Sequence, residues 1–270
     1  MPIHITGTGS FIPENKVDNN SFLNKEFFDK DGNPYPNSNQ EIIEKFEAIT
    51  GIKERRYADK KHTNSDLAAF AAAEAIKDAK IDKESIDYII VAHNFGNIEY
   101  GTNQYISLPS VATLVKHKLE ISNENCVAYD LIFGCPGWIE GVIQAKSFII
   151  SKMAKRCLVI GADTLSRTID KSDRDSMIFA DGAGASIIEE KNNLGGILSH
   201  KTITKAGKEA LYLFCKESYS PQNKENIKHI KMNGRKVYEF AISNIPGALK
   251  ACLEESGKSI DDVKKIFLHQ

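Results

Sequence analysis

Three short apolar runs, 86–92, 156–162 and 184–189, constrain this chain most, because each reads as a strand buried on both faces. Helical patterns separate them. Residues 64–80 open on capping residues and continue through an Ala-rich helical stretch, and further helices are expected over about 109–119 and 136–153. Strands alternating with helices imply an α/β fold around buried central sheets. With 270 residues, 41% of them hydrophobic, the chain is long enough for a large core or two related ones.

Charge and cysteine usage narrow the function classes. Thirty-five Lys and Arg nearly cancel 36 Asp and Glu, so no long-range field favours nucleic acid, and no basic run suggests a membrane surface. The N-terminus lacks a basic segment followed by an apolar one, and no window approaches a membrane span, so a cytoplasmic protein is expected. The five cysteines, at 126, 135, 157, 215 and 252, are scattered and include no C-x-x-C pair. They are expected to be free thiols, with no structural disulfide and no metal site.

The polar, Gly/Pro-punctuated stretch 29–39 reads as a surface loop before a helix at about 40–48, and 216–229 as a second excursion. The chain also repeats a pattern. The helix at 64–80, Ile81-Asp82 and the strand 86–92 are echoed by a helix at about 236–256, Ile260-Asp261 and an apolar strand expected at 266–268. Pairing Ile86 with Val263 gives an offset of 263 − 86 = 177, which also pairs Ile89 with Ile266 and Val91 with Leu268. Two related halves are expected, 1–195 and 196–270, the second truncated relative to the first.

The chemistry concentrates in Asp130-Leu131-Ile132-Phe133-Gly134-Cys135-Pro136-Gly137-Trp138. An apolar run enters a Gly turn, then a Cys is followed by Pro, which suits the first turn of a helix. Free backbone N–H groups and the positive dipole end there would lower the thiol pKa and stabilise an oxyanion, or Cys135 is simply a small buried hydrophobe. Cys126, Cys157 and Cys252 read as packing residues. Among the histidines, His269 closes the expected strand 266–268, where α/β folds collect catalytic groups, and His93 occupies nearly the same place in the first copy. Asp181-Gly182-Ala183-Gly184-Ala185 precedes a strand instead of following one, so it is read as a tight turn or close-packed segment and not as a phosphate loop.

Several segments together resemble the β-ketoacyl-acyl-carrier-protein synthase III family of the thiolase superfamily. They are Ile5-Thr6-Gly7-Thr8-Gly9-Ser10-Phe11-Ile12-Pro13, Thr50-Gly51-Ile52-Lys53-Glu54-Arg55-Arg56, the Cys135 segment, Gly161-Ala162-Asp163, Phe179-Ala180-Asp181-Gly182-Ala183-Gly184-Ala185, Asn233-Gly234-Arg235-Lys236-Val237-Tyr238 and His269-Gln270. The resemblance implies a layered α-β-α-β-α thiolase fold of two similar halves, assembled as a homodimer. It also implies an acyltransferase of fatty acid or related polyketide-type biosynthesis. Such an enzyme loads an acyl group onto Cys135 and condenses it with a decarboxylating malonyl-acyl-carrier protein, with His269 donating to the malonyl thioester carbonyl. The family's third residue, an Asn some thirty positions beyond the His, would fall after Gln270. No permanently bound cofactor is implied; coenzyme A and carrier-protein phosphopantetheine thioesters are substrates.

The family clamps the coenzyme A adenine between a Trp, four residues before an Arg, and a second Arg. Lys45 and Ile49 stand where the first two are expected, and Arg174 keeps the third. An ammonium does not replace an indole stack, so weak coenzyme A binding or a carrier-protein donor is expected. Two further readings stay open. One is a non-condensing or 3-hydroxy-3-methylglutaryl-coenzyme A synthase-like acyltransferase, for which Glu99 is the loosely placed acid, and the other is a catalytically silent partner subunit.

Overall fold

A computed structural model describes residues 2–102 and 104–269. Five strands build one sheet: β1 (Ile3–Phe11), β2 (Tyr88–His93), β3 (Val127–Ile132), β4 (Arg156–Thr164) and β5 (Asp181–Glu190). Their order is β1-β5-β4-β2-β3. β2, β3 and β4 run parallel, while β5 is antiparallel to both β4 and β1. The helices are α1 (Asn39–Thr50), α2 (Asn64–Ala79), α3 (Val111–Lys118), α4 (Gly137–Ile150) and α5 (Gly234–Glu255). The parallel strands are joined by helical crossovers, as parallel pairing requires.

The strands sort their side chains between two cores. Ile89 and Val91 of β2, Leu158 and Ile160 of β4 and Ile187 of β5 pack with α2 and α3, whose Ala68, Ala71, Ala72, Ala75, Val111 and Val115 are fully buried. Ile90, Cys157, Val159 and Ile188 point the other way, against Val142, Ala145 and Ile149 of α4. A period of two in strands buried on both faces makes the sequence look continuously apolar.

Local chemistry fixes where α2 starts and how closely it lies. Thr63 donates its N–H (2.7 Å) and hydroxyl (2.8 Å) to Asp66, and Lys80 ends the helix in the left-handed region at φ 54°. Gly9 of β1 lets α2 approach: a Cβ there would lie 2.2 Å from the Ala71 carbonyl oxygen.

Two expectations from the sequence are corrected. The segment 181–185 is not a turn but the first half of β5, and Asp181 at its start accepts the N–H of Ala58 (2.7 Å) and of Ser166 (2.8 Å). Its glycines and alanines continue pairing with Phe11 through Gly9 on one side and Ala162 and Gly161 on the other. Residues 266–268 form no strand; Ile266, Phe267 and Leu268 are exposed. A strand requires a pairing partner for its backbone groups, and among the described residues none lies beside them. The echo survives in part, for a single 3-10 turn follows the helix in both copies, at Lys83–Ser85 and Ile260–Asp262, again offset by 260 − 83 = 177.

Beyond β5 the chain is sparsely buried. Ile197 donates its N–H to the Ile3 carbonyl (2.8 Å), and a two-stranded ribbon pairs Leu213–Lys216 with His229–Met232 around the loop 217–228. Lys231 of that ribbon is fully buried, reaching Asp170 and Asp173 (3.2 Å to the latter) with Tyr219 over its ammonium. Helix α5 buries no residue.

Candidate active site

The parallel strands β2, β3 and β4 deliver their C-terminal ends to one edge, where α/β sheets place chemistry. Just past β3, Gly134 takes φ 81°, a conformation glycine adopts without strain, and reverses the chain. Cys135 follows, then Pro136 as the N-cap of α4. The turn closes through the Gly137 N–H on the Gly134 carbonyl (2.9 Å) and the Glu140 N–H on the Pro136 carbonyl (3.1 Å). Gly137 and Gly141, one helical turn apart, press α4 onto the sheet: a Cβ on either would come within 2.7 Å of Ala92 Cβ or Val159 Cγ1 respectively.

Cys135 therefore stands immediately outside the helix, and it is exposed, unlike the buried Cys126 and Cys157. Its thiol is not acidified as the helix-start argument expects. Desolvation by the surrounding protein pushes it up, the Asp163 charge adds to this, and only its own backbone N–H lowers it.

Four polar residues surround the strand ends. Burial pushes Asp163, at the end of β4, up to about 6, against the hydrogen bonds it accepts from the Asn94 N–H (3.1 and 3.2 Å) and Nδ2 (2.7 Å). His93 is buried; its Nδ1 accepts the Gly96 N–H (2.9 Å) and its Nε2 lies 2.9 Å from Asp130 Oδ2. Asp130 in turn accepts the Val111 (2.8 Å) and Ala112 (2.7 Å) N–H groups at the start of α3. Burial raises Asp130, but His93 and these N–H groups outweigh it and hold the carboxyl below its ordinary value. The sequence carried Asp130 and Asp163 inside quoted motifs without a role; the parallel register of β2 with β3 and β4 brings them beside His93 and Asn94 respectively.

Among the described residues, the other candidates make no side-chain hydrogen bond or ion pair with this cluster. His269 is exposed and outside any strand, and no hydrogen bond or ion pair joins it to Cys135 among the described residues. Arg174 is exposed at the start of a 3-10 turn, its guanidinium 4.4 Å from the Tyr35 ring centroid and its Nε 3.7 Å from Asp175. Lys45 and Ile49 are exposed on α1, with Ile49 83% accessible. Glu99 is exposed, and its backbone carbonyl accepts the Thr102 N–H (3.2 Å).

The 3-oxoacyl-[acyl-carrier-protein] synthase III family model matches residues 129–206, which span Cys135 and Asp163. A β-ketoacyl-[acyl-carrier-protein] synthase III of Oceanobacillus iheyensis is 37% identical over 100% of this chain and 76% of its own length. One from Fusobacterium nucleatum is 36% identical over 99% and 76%. The crystal structure of 3-oxoacyl-[acyl-carrier-protein] synthase III from Aquifex aeolicus is similar with a TM-score of 0.77 and 29% identity, covering 97% of this chain and 74% of that one.

Proposed function

This chain belongs to the β-ketoacyl-acyl-carrier-protein synthase III family, with its thiolase-like fold and its condensing role in fatty acid biosynthesis, and from that premise we propose that Cys135 is the residue that carries the acyl group. The observation that supports it is placement: an exposed cysteine on the turn between β3 and α4, at the shared C-terminal edge of three parallel strands. The Cys135 sulfur attacks the carbonyl carbon of an acyl thioester and expels the donor thiol, leaving the acyl group on Sγ and the thiol proton on the leaving sulfur. A malonyl thioester on acyl carrier protein then loses carbon dioxide. The resulting enolate carbon attacks the acyl-Cys carbonyl, the C–S bond breaks, and a 3-oxoacyl thioester departs while Sγ regains a proton.

The Cys135 backbone N–H is the proposed donor to the oxyanion of each tetrahedral intermediate. His269 is the proposed donor to the malonyl thioester carbonyl, a role supported by the resemblance of His269-Gln270 to the family. Arg174 is proposed to touch a coenzyme A donor weakly, since one face of its guanidinium already meets Tyr35 and exposed Lys45 and Ile49 offer no aromatic partner. A carrier-protein acyl donor is the alternative we propose. Thioesters act as substrates and no cofactor is held permanently.

A homodimer is supported by β3, which lies at one edge of the sheet with Val127 and Ile132 exposed; unpaired backbone groups on an edge strand invite a second copy. No helix among the described residues is long and apolar enough to cross a membrane, which accords with the cytoplasmic location we propose. The deciding experiment is intact-mass spectrometry after incubation with acyl-coenzyme A and acyl-carrier donors. An acyl-sized mass gain lost in Cys135→Ala supports the reading, and a gain that persists in that variant sinks it.

A further inference from the structure

Tyr35 has no part in the transfer scheme, yet its ring is the aromatic surface that Arg174 meets. The guanidinium carbon lies 4.4 Å from the ring centroid, within the range of a cation–π contact. The same ring packs on the buried cluster of Phe22, Phe27, Ile42, Ile43 and Met177, so it joins Arg174 to α1, the helix that carries Lys45 and Ile49. The Arg174 side chain remains 44% accessible, within reach of a solute.

The loop that presents Tyr35 is closed on itself and tied to the segment of Arg174. The Phe28 N–H donates to the carbonyl of Ser172 (2.9 Å), two residues before Arg174, and the Tyr35 N–H donates to the Phe27 carbonyl (3.2 Å). Between these ties Asp29 Oδ1 accepts the N–H groups of Asp31 and Asn33 (both 2.9 Å), and Gly32 turns the chain at φ 81°. Phe27 and Phe28 are buried, which anchors the loop beside the ring it carries.

We propose that Tyr35 is a specificity-determining residue: its ring takes the place on Arg174 that the adenine of a coenzyme A donor would occupy, so a nucleotide-bearing donor must displace it. The proposal rests on the reading that Arg174 meets a coenzyme A donor, and it gives the weakness of that contact a cause. A guanidinium face already stacked on one ring gains from a second only after the first has left. Phosphopantetheine on a carrier protein has no adenine and meets no such obstacle. Discrimination of this kind comes from a hindrance to one donor, so the chemistry at Cys135 is the same for both.

Acyl loading is compared in the wild type and Tyr35→Ala with acetyl-coenzyme A and with acetyl-pantetheine, which carries the same thioester and no nucleotide. The expected result is kcat/KM raised about fourfold for acetyl-coenzyme A, through KM, and unchanged for acetyl-pantetheine. The gain should vanish when Arg174→Ala is added. An unchanged or lowered kcat/KM for acetyl-coenzyme A overturns the proposal, and so does an equal gain with both donors. Arg174→Ala alone tells two failures apart. If it weakens acetyl-coenzyme A while Tyr35→Ala brings no gain, the proposal falls and the Arg174 reading stands; if it has no effect in either background, both fall.

Should Tyr35→Ala lower the denaturation midpoint, Tyr35→Val keeps an apolar contact with the cluster, removes the ring and faces the same outcomes. If the wild type loads neither donor, the acyl-carrier reading of Cys135 fails, and calorimetric titration with coenzyme A itself decides the role of Tyr35. Binding about fourfold tighter in the variant supports the proposal, and equal or weaker binding overturns it.

Discussion

Helices α2 and α5 have similar starting chemistry and opposite fates. α2 opens on a Thr63–Asp66 cap and buries Ala68, Ala71, Ala72 and Ala75 against β1, β4 and β5. α5 opens on an Asn233 cap and carries its own apolar stripe, Tyr238, Ile242, Ile245 and Leu249 at helical spacing, yet these are 65, 55, 45 and 43% exposed. An amphipathic pattern tells a helix which face to bury, but the surface it packs on supplies most of the stability. The same contrast divides the chain: up to β5 a sheet fills both cores, and past it, among the described residues, only His229, Ile230 and Lys231 are buried.

The sharpest test of this division is chemical. Cys135→Ala is expected to abolish acyl loading and condensation, a loss on the order of a thousandfold or more, whereas Cys252→Ala on α5 should leave both near wild type. Cys252 lies on α5, which follows none of the three parallel strands, and its sulfur is 3.2 Å from Ser199 Oγ. Loss of acyl loading in the Cys252 variant, read by intact mass, would mean the catalytic region extends into α5.

Next in size is the buried tie between the regions. Lys231→Met strands Asp170 and Asp173 without their cation and is expected to cost about 3–5 kcal/mol in denaturant unfolding. The loss of stability in acid that Asp170 contributes should also weaken. Burial raises Asp170, but Lys231 and the Tyr219 and Ser172 N–H groups overcome it and leave the carboxyl below its ordinary value. In the wild type this contribution is therefore present above the unfolded carboxyl range and lost as pH falls through the folded value. Without the ammonium, Asp170 keeps its desolvation and loses its main lowering partner, so protonation in mild acid should cost the variant less stability than it costs the wild type. A Lys231→Met protein as stable as wild type would show that the ribbon is not anchored through this cluster.

How much of this could be read beforehand follows from how local each signal is. The cap and Ala-rich face of α2, the apolar runs that became β2 and β4, and the Gly-Cys-Pro step before α4 are written in consecutive residues. The strand expected at 266–268 does not form, because an apolar run specifies a strand only when a partner strand exists to take its N–H and C=O groups. The Asp181–Ala185 stretch misled in the opposite direction: its small residues look like a turn, but they pair on both sides within β5. At the site, Cys135 was legible from its turn. Its raised thiol pKa was not, because it comes first from desolvation by the folded surroundings and then from the Asp163 carboxylate on another strand, and the Asp163–Asn94 hydrogen bonds depend on the register of β2 and β4.

The smallest effects give the cleanest comparison, because the same substitution should change sign between the two helices. Gly9→Ala places a Cβ 2.2 Å from the Ala71 carbonyl oxygen and 2.4 Å from the Ala75 nitrogen, so β1 and α2 must part. The expected cost is about 1–3 kcal/mol, the usual range for overpacking, read as a lower denaturation midpoint. Gly247→Ala on α5 meets nothing within 4 Å and replaces the most flexible residue of a helix with its best former. It should stabilise α5 by about 0.5–1 kcal/mol, seen as slower amide hydrogen exchange along α5 with α2 unaffected. Destabilisation by Gly247→Ala would show that something packs on that face of α5, and the contrast between a partnered and an unpartnered helix would then fail at its second member.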